Sequence, residues 1–261
     1  MLPRPLHRSK SMLRHEHAVL NSHRQAGFTL VEVAIVIVIV GLLLGGAVLT
    51  LSAQMDLKNN AETAETLRRA QDALLGFAAA NGRLPCPAIA SGQEALNAGT
   101  GCTTLLGGFV PATTLGIGPT DAQGFLIDAW GNRIRYAVTL DLSFTSRDIA
   151  TQLQSLGTTA LVTRPSATDA IVICSVNVAA APSEPANCPA GPPDTTLSNR
   201  AVAVFHSTGE NGVNGASPEE QTNIDGGRFF VDHTPTPAYD DQVLWVSRYT
   251  LSNRMIAAGA L

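Results

Sequence analysis

Gly27-Phe28-Thr29-Leu30-Val31-Glu32-Val33 decides how this 261-residue chain is read, because it opens the one long apolar run and sets a single carboxylate near its start. From Val33 to Leu49 the run carries no charge. A helix crossing a bilayer takes about 20 mostly apolar residues. Residues 28–51 meet that length with Glu32 as the only charged residue, so they are expected to form a membrane-spanning helix. A carboxylate inside lipid costs roughly 2.5–3.5 kcal/mol on insertion scales, so its presence there asks for a function. Gly41 and Gly45 add a small-xxx-small spacing that lets helices approach closely.

Before the run lies a basic leader, residues 1–27, with Arg4, Arg8, Lys10, Arg14 and Arg24 against one acid, Glu16. Positive flanks stay cytoplasmic, which puts the leader inside and everything after Leu51 outside. An ordinary secretory signal ends a short apolar core in a small-residue cleavage site. Here the glycine precedes the apolar segment, so a cut after it leaves the hydrophobic helix on the mature chain.

A basic leader ending in GFTLVE resembles the class III signal of type IV prepilins and type II secretion pseudopilins. The resemblance implies cleavage between Gly27 and Phe28 by prepilin peptidase, which also methylates the new amino terminus. It makes Glu32 the acidic residue that pairs with a Phe28 amine during assembly, and a buried carboxylate needs such a partner. It further implies other pilin or pseudopilin subunits, a cytoplasmic ATPase and an inner-membrane assembly platform as partners.

Without its leader the chain has twelve Lys/Arg and twenty Asp/Glu, a net charge of −8. That is the opposite of a nucleic-acid footprint, leaving only Arg133 and Arg135 as a local basic patch. Cys86, Cys102, Cys174 and Cys188 all follow the apolar run, and none forms a CxxC pair. Their even number on the exported side favours disulfides. Three pairings are open, and joining neighbours, Cys86 to Cys102 and Cys174 to Cys188, closes the two shortest loops.

After Leu51 helical spacing continues through Leu57, Ala61, Ala64, Leu67, Ala70, Leu74, Phe77 and Ala78 until Asn81-Gly82 and Pro85 stop it. The expected divisions are therefore a leader (1–27), an assembly helix (28–51), its amphipathic continuation (52–82) and a globular head (83–261). Asp128-Ala129-Trp130-Gly131-Asn132 followed by alternating Ile134, Tyr136 and Val138 reads as a hairpin. It resembles the D-x-WGN-x-x-x-Y segment of major pseudopilins. Further strands are expected over 170–178, 200–206 and 242–247, with a closing helix over 249–261. The fold class is α+β, pilin-like: a long N-terminal helix packed on a small antiparallel sheet.

The richest polar stretch, Ser207 to Asp241, gathers Glu210, Asn211, Asp225, Asp240 and Asp241 among glycine turns. Hard cations take six to eight oxygens from groups of this kind. Major pseudopilins bind calcium in a loop at this place, so the resemblance makes these five residues candidate calcium ligands. Gly212 breaks the alternation an EF-hand needs. No nucleophile elbow, Walker loop, HExxH or dinucleotide fingerprint occurs. His206 and Ser207, adjacent on a strand, point to opposite faces, and Trp130, Trp245 and His233 read as packing or surface residues. The expected protein is a non-enzymatic filament subunit, a minor pilin or pseudopilin. The alternatives are a membrane-tethered periplasmic binding domain and a pilin-like competence protein for DNA uptake.

Overall fold

In the computed structural model the described residues are 27–97, 101–145, 163–175, 188, 195–214 and 217–259, with no side-chain description over 44–53. Residues up to Leu51 and from Ser52 onward form two units. Helix α1 runs Leu30–Asn81. Thr29 caps its start, its Oγ1 accepting the Glu32 amide at 3.2 Å. At its other end Gly82 takes a left-handed φ of 66°, which only glycine adopts freely, and the Gly82 amide closes the last turn on the Ala78 carbonyl. No described helix is long and apolar enough to cross a membrane. The apolar side chains described, from Phe28 to Leu43, are exposed, and the expected span beyond them lies outside the described side chains.

The second unit is α+β. Its strands are β1 (Gly108–Phe109), β2 (Arg135–Val138), β3 (Ile171–Cys174), β4 (Thr196–Ser207), β5 (Phe229–Val231) and β6 (Gln242–Ser247). Short helices α2 (Ala112–Leu115) and α3 (Pro218–Ile224) lie between them, and α4 (Arg248–Ala257) closes the chain. Strand β4 is the hub, antiparallel to β2, β3 and β6. The order is β1-β2-β4-β3-β5, with β6 also on β4.

The expectation of a small antiparallel sheet needs correcting. The sheet has six strands and is mixed, because β5 runs parallel to β3, with Ile173 opposite Phe230. Strand β3 runs opposite to β4, and the chain, leaving β4 through α3, turns back and re-enters beyond β3, so β5 also runs opposite to β4 and lies parallel to β3. The hairpin expectation is corrected too. Gly131-Asn132 joins only isolated bridging residues, Ile127 and Arg133, and β2 pairs instead with β1 and β4. Strand β3 ends at Cys174, and residues 176–178 of the expected strand lie outside the described residues.

The main core joins Leu67, Ala70, Leu74 and Ala78 of α1 to Ile134, Tyr136 and Val138, to Phe205, and to Leu251 and Met255 of α4. A second core on the opposite sheet face holds Ala137, Ile171, Ile173, Val204 and Phe230. The buried stripe of α1 follows the expected one through Leu67, Ala70, Leu74 and Ala78 and departs from it before them. Leu57 and Ala61 are exposed, while Thr63 and Thr66 are buried. Those hydroxyls are satisfied: Thr63 accepts the Ala129 amide at 3.1 Å and Thr66 donates to the Glu62 carbonyl at 2.9 Å. Buried polar groups with partners cost little.

Disulfides join Cys86 to Cys102 and Cys174 to Cys188, with Cα separations of 5.2 and 5.7 Å. The first loop is also held by Arg83, which donates to both oxygens of Glu94 at 2.6 and 2.7 Å, while Glu94 accepts the Cys86 amide.

Candidate functional sites

Two places carry the polar chemistry. At the first, Phe28 and Glu32 are exposed at the start of α1. Thr29 and Glu32 stand at the N-cap and third helical positions, the spacing of a capping box, and an acid in the first turn faces the positive end of the helix dipole. Glu32 thus has a local reason to be acidic besides any pairing with an amine.

The second lies where the turn after β4, helix α3 and the start of β6 meet. Gly209 has a φ of 60°, and a Cβ there would sit 2.4 Å from Cγ of Asp240, so glycine is required twice over. That close approach lets Asp240 Oδ2 accept the amides of Glu210 at 2.7 Å and Asn211 at 3.1 Å. Ser217-Pro218-Glu219-Glu220 opens α3 as a complete capping box with proline in its first turn, which pins Glu220. Glu220 Oε1 accepts from the Asn211 side chain and the Asp240 amide, both at 3.0 Å. Asp241 Oδ2 accepts from Asn223 at 2.8 Å.

Ligand oxygens of Glu220, Asp240 and Asp241 lie within 4.8 Å of one another. Oδ1 of Asp240 and Oδ1 of Asp241 are buried and take no hydrogen bond. Burial raises the Asp241 pKa to about 7, with Glu220 and Asp240 adding to the rise and Asn223 opposing it. Asp240 is raised by burial, reinforced by Glu220. Burial also pushes Glu220 upward, but bonds from Asn211 and from the Asp240 and Ser217 amides outweigh it and leave Glu220 lowered. Three crowded carboxylates with two orphaned oxygens suit a proton or an oxygen-seeking cation.

The candidate ligands fall differently within this corner. Asp240 and Asp241 converge. Asn211 turns its side-chain nitrogen toward Glu220, so it acts as a donor. Glu210 contributes its backbone amide to Asp240, and its side chain is exposed. Asp225 caps the far end of α3 and accepts the Gly227 amide. Glu220 was not among the sequence candidates, although S-P-E-E is a legible helix start.

Around this corner several polar residues are engaged, while Nε2 of His206 and the Thr208 hydroxyl are buried without a hydrogen bond. Ser207 donates to Asp128, and His206 is buried on the other face beside Phe230. Arg133 pairs with Asp121 at 2.6 Å and covers the Phe125 ring at 4.2 Å, and Arg135 is half-buried, so neither is a free basic patch. His233, expected in solvent, is half-buried against Tyr239 with ring centroids 4.0 Å apart.

Residues 22–48 match the family described as the prokaryotic N-terminal methylation motif, the prepilin-type signal of type IV pilins and pseudopilins. The motif indicates a type IV pilin-like substrate of prepilin peptidase. No curated protein and no solved structure matches the chain.

Proposed function

We propose that the chain is a structural subunit, a minor pilin or pseudopilin, of a type II secretion or type IV pilus-like filament. The match of residues 22–48 to the methylation motif carries this reading. Prepilin peptidase cuts between Gly27 and Phe28 and methylates the new terminus, while the leader faces the cytoplasm and the head the periplasm. The assembly platform then draws α1 into a bundle of neighbouring helices. Inside that bundle the Phe28 amine neutralises Glu32 of its own or an adjacent subunit, since an unpaired carboxylate is penalised there. The chain's part is scaffolding and not catalysis. The test is mass spectrometry of the protein from cells with and without the peptidase. A mature chain beginning at N-methylated Phe28 supports the reading, and an intact Met1 terminus in peptidase-bearing cells overturns it.

The orphaned oxygens of Asp240 and Asp241 support a second element of this reading, a calcium ion held by Glu220, Asp240 and Asp241. Calcium would supply positive charge there, and these residues would fix the turn after β4 against α3 and β6. Melting of the full chain in detergent micelles, with calcium and with chelator, tests it.

A further inference from the structure

We propose that the groove between α1 and α4 is the place where two copies of this chain pair across a two-fold axis. The groove holds about 490 Å³. Asp72 and Leu75 of α1 form one wall, and Tyr249, Asn253, Arg254 and Ala257 of α4 form the other.

Tyr249, Asn253 and Ile256 recur at i, i+4 and i+7 along α4, so they share one face, and all three are exposed. Tyr249 and Ile256 are 58% and 54% exposed, which leaves two large apolar groups of one helix in solvent. Tyr249 is held in place, because Arg248 donates to its hydroxyl at 2.7 Å and lies over its ring at 4.6 Å. A surface aromatic fixed in this way is the kind of side chain that anchors an interface.

The charges select the occupant. Asp72 and Arg254 are exposed on opposite walls, and among the described residues no ion pair joins them. The bases next to Asp72 on α1 are turned elsewhere: Arg68 lies 3.9 Å from Glu65, and Arg69 donates to the Thr66 hydroxyl at 3.0 Å. With an acid on one wall and a base on the other, the groove is complementary to itself. A second copy related by a two-fold axis brings its Arg254 to Asp72 and its Asp72 to Arg254, with the apolar face of α4 between the two pairs. The mature chain's twelve bases and twenty acids repel a copy at long range, but salt screens that beyond about 8 Å, and the two cross pairs are in contact. An isologous contact closes at two copies, whereas a filament repeats one contact head to tail. The pair is therefore a resting form of the subunit before assembly, a role that rests on the filament reading above.

The test uses the full processed chain in detergent micelles. All four cysteines lie in disulfides, so Asn253→Cys carries the one free thiol. On oxidation it should give a covalent dimer, and Leu197→Cys, exposed on β4, should not. In the Asn253→Cys background, Asp72→Arg and Arg254→Asp should each lower the dimer yield roughly tenfold, and the two together should restore it. Association through α1 alone would be blind to all three changes. Tyr249→Ala should weaken pairing while the chain still melts cooperatively. Equal cross-linking at positions 253 and 197, or no restoration in the double reversal, overturns the pair. A purified chain that stays monomeric, while Asn253→Cys cross-links to a different protein in cells, also overturns it in favour of a partner of another sequence. Failure of the filament reading shows separately, as an unprocessed amino terminus.

Discussion

The Ser207 hydroxyl donates to the Asp128 carboxylate across 2.6 Å, joining residues 79 apart in sequence. The other oxygen of Asp128 accepts the amides of Trp130 and Asn132 at 3.0 and 2.8 Å, and the Asn132 side chain reaches on to the Gly209 carbonyl at 2.7 Å. The Asp-x-Trp-Gly-Asn turn is thereby clamped onto the turn that feeds Asp240. Asp128 is buried, so loss of its carboxylate strands several donors. Asp128→Ala should cost about 1–3 kcal/mol, and a double-mutant cycle with Ser207→Ala should show positive coupling in urea unfolding.

Calcium should raise the melting temperature of the full chain over chelator. Glu220→Gln and Asp240→Asn should shrink that difference by removing a ligand charge, whereas Glu210→Gln and Asp225→Asn should leave it intact. Indifference to millimolar calcium would reduce the corner to a proton-sharing cluster.

His206 gives the pH dependence a definite sign. Burial, and to a lesser degree Arg135, lowers its pKa from 6.5 to about 3. The unfolded chain therefore binds a proton on this residue that the folded chain refuses, and its contribution to stability is full above pH 6.5 and lost as pH falls toward 3. The stability difference between wild type and His206→Leu should change between pH 7 and 5 by up to about 1.4 kcal/mol per unit. A difference flat across that range would show that the histidine is solvated.

Much of this was legible. Leu67, Ala70, Leu74 and Ala78 recur at helical spacing, and all four are buried. The next turns toward the N-terminus misled because Thr63 and Thr66 carry hydroxyls that only a folded neighbour, the Ala129 amide, or the helix's own carbonyl can absorb. A polar side chain reads as surface until its partner is known. The parallel β5 was hidden because Phe229–Val231 is three residues long, too short to show a period. Glu220 was hidden by composition, since its helix sits inside a run that looks like one continuous polar loop.

Glu32→Val should insert and be processed normally, because the change removes a desolvation cost, yet it should impair filament assembly. Incorporation equal to wild type would leave the Thr29-capped helix start as the full reason for the acid.

Non-reducing peptide maps of exported protein should join Cys86 to Cys102 and Cys174 to Cys188. Replacing Cys86 and Cys102 with serine should cost roughly 3 kcal/mol, the loop-closure contribution for a span this short. A cross-link between the two pairs would sink the assignment.

Strand β4 also sets a timetable. Strands β2, β3 and β6 all hydrogen-bond to it, and its His206 meets Arg135 across 71 residues. None of those three ladders can zip until residues 196–207 have been made, so early segments wait, unpaired, for a late one. Pairings this distant fold slowly. Until then the edges of the early strands stay open, which is the state most exposed to wrong pairing.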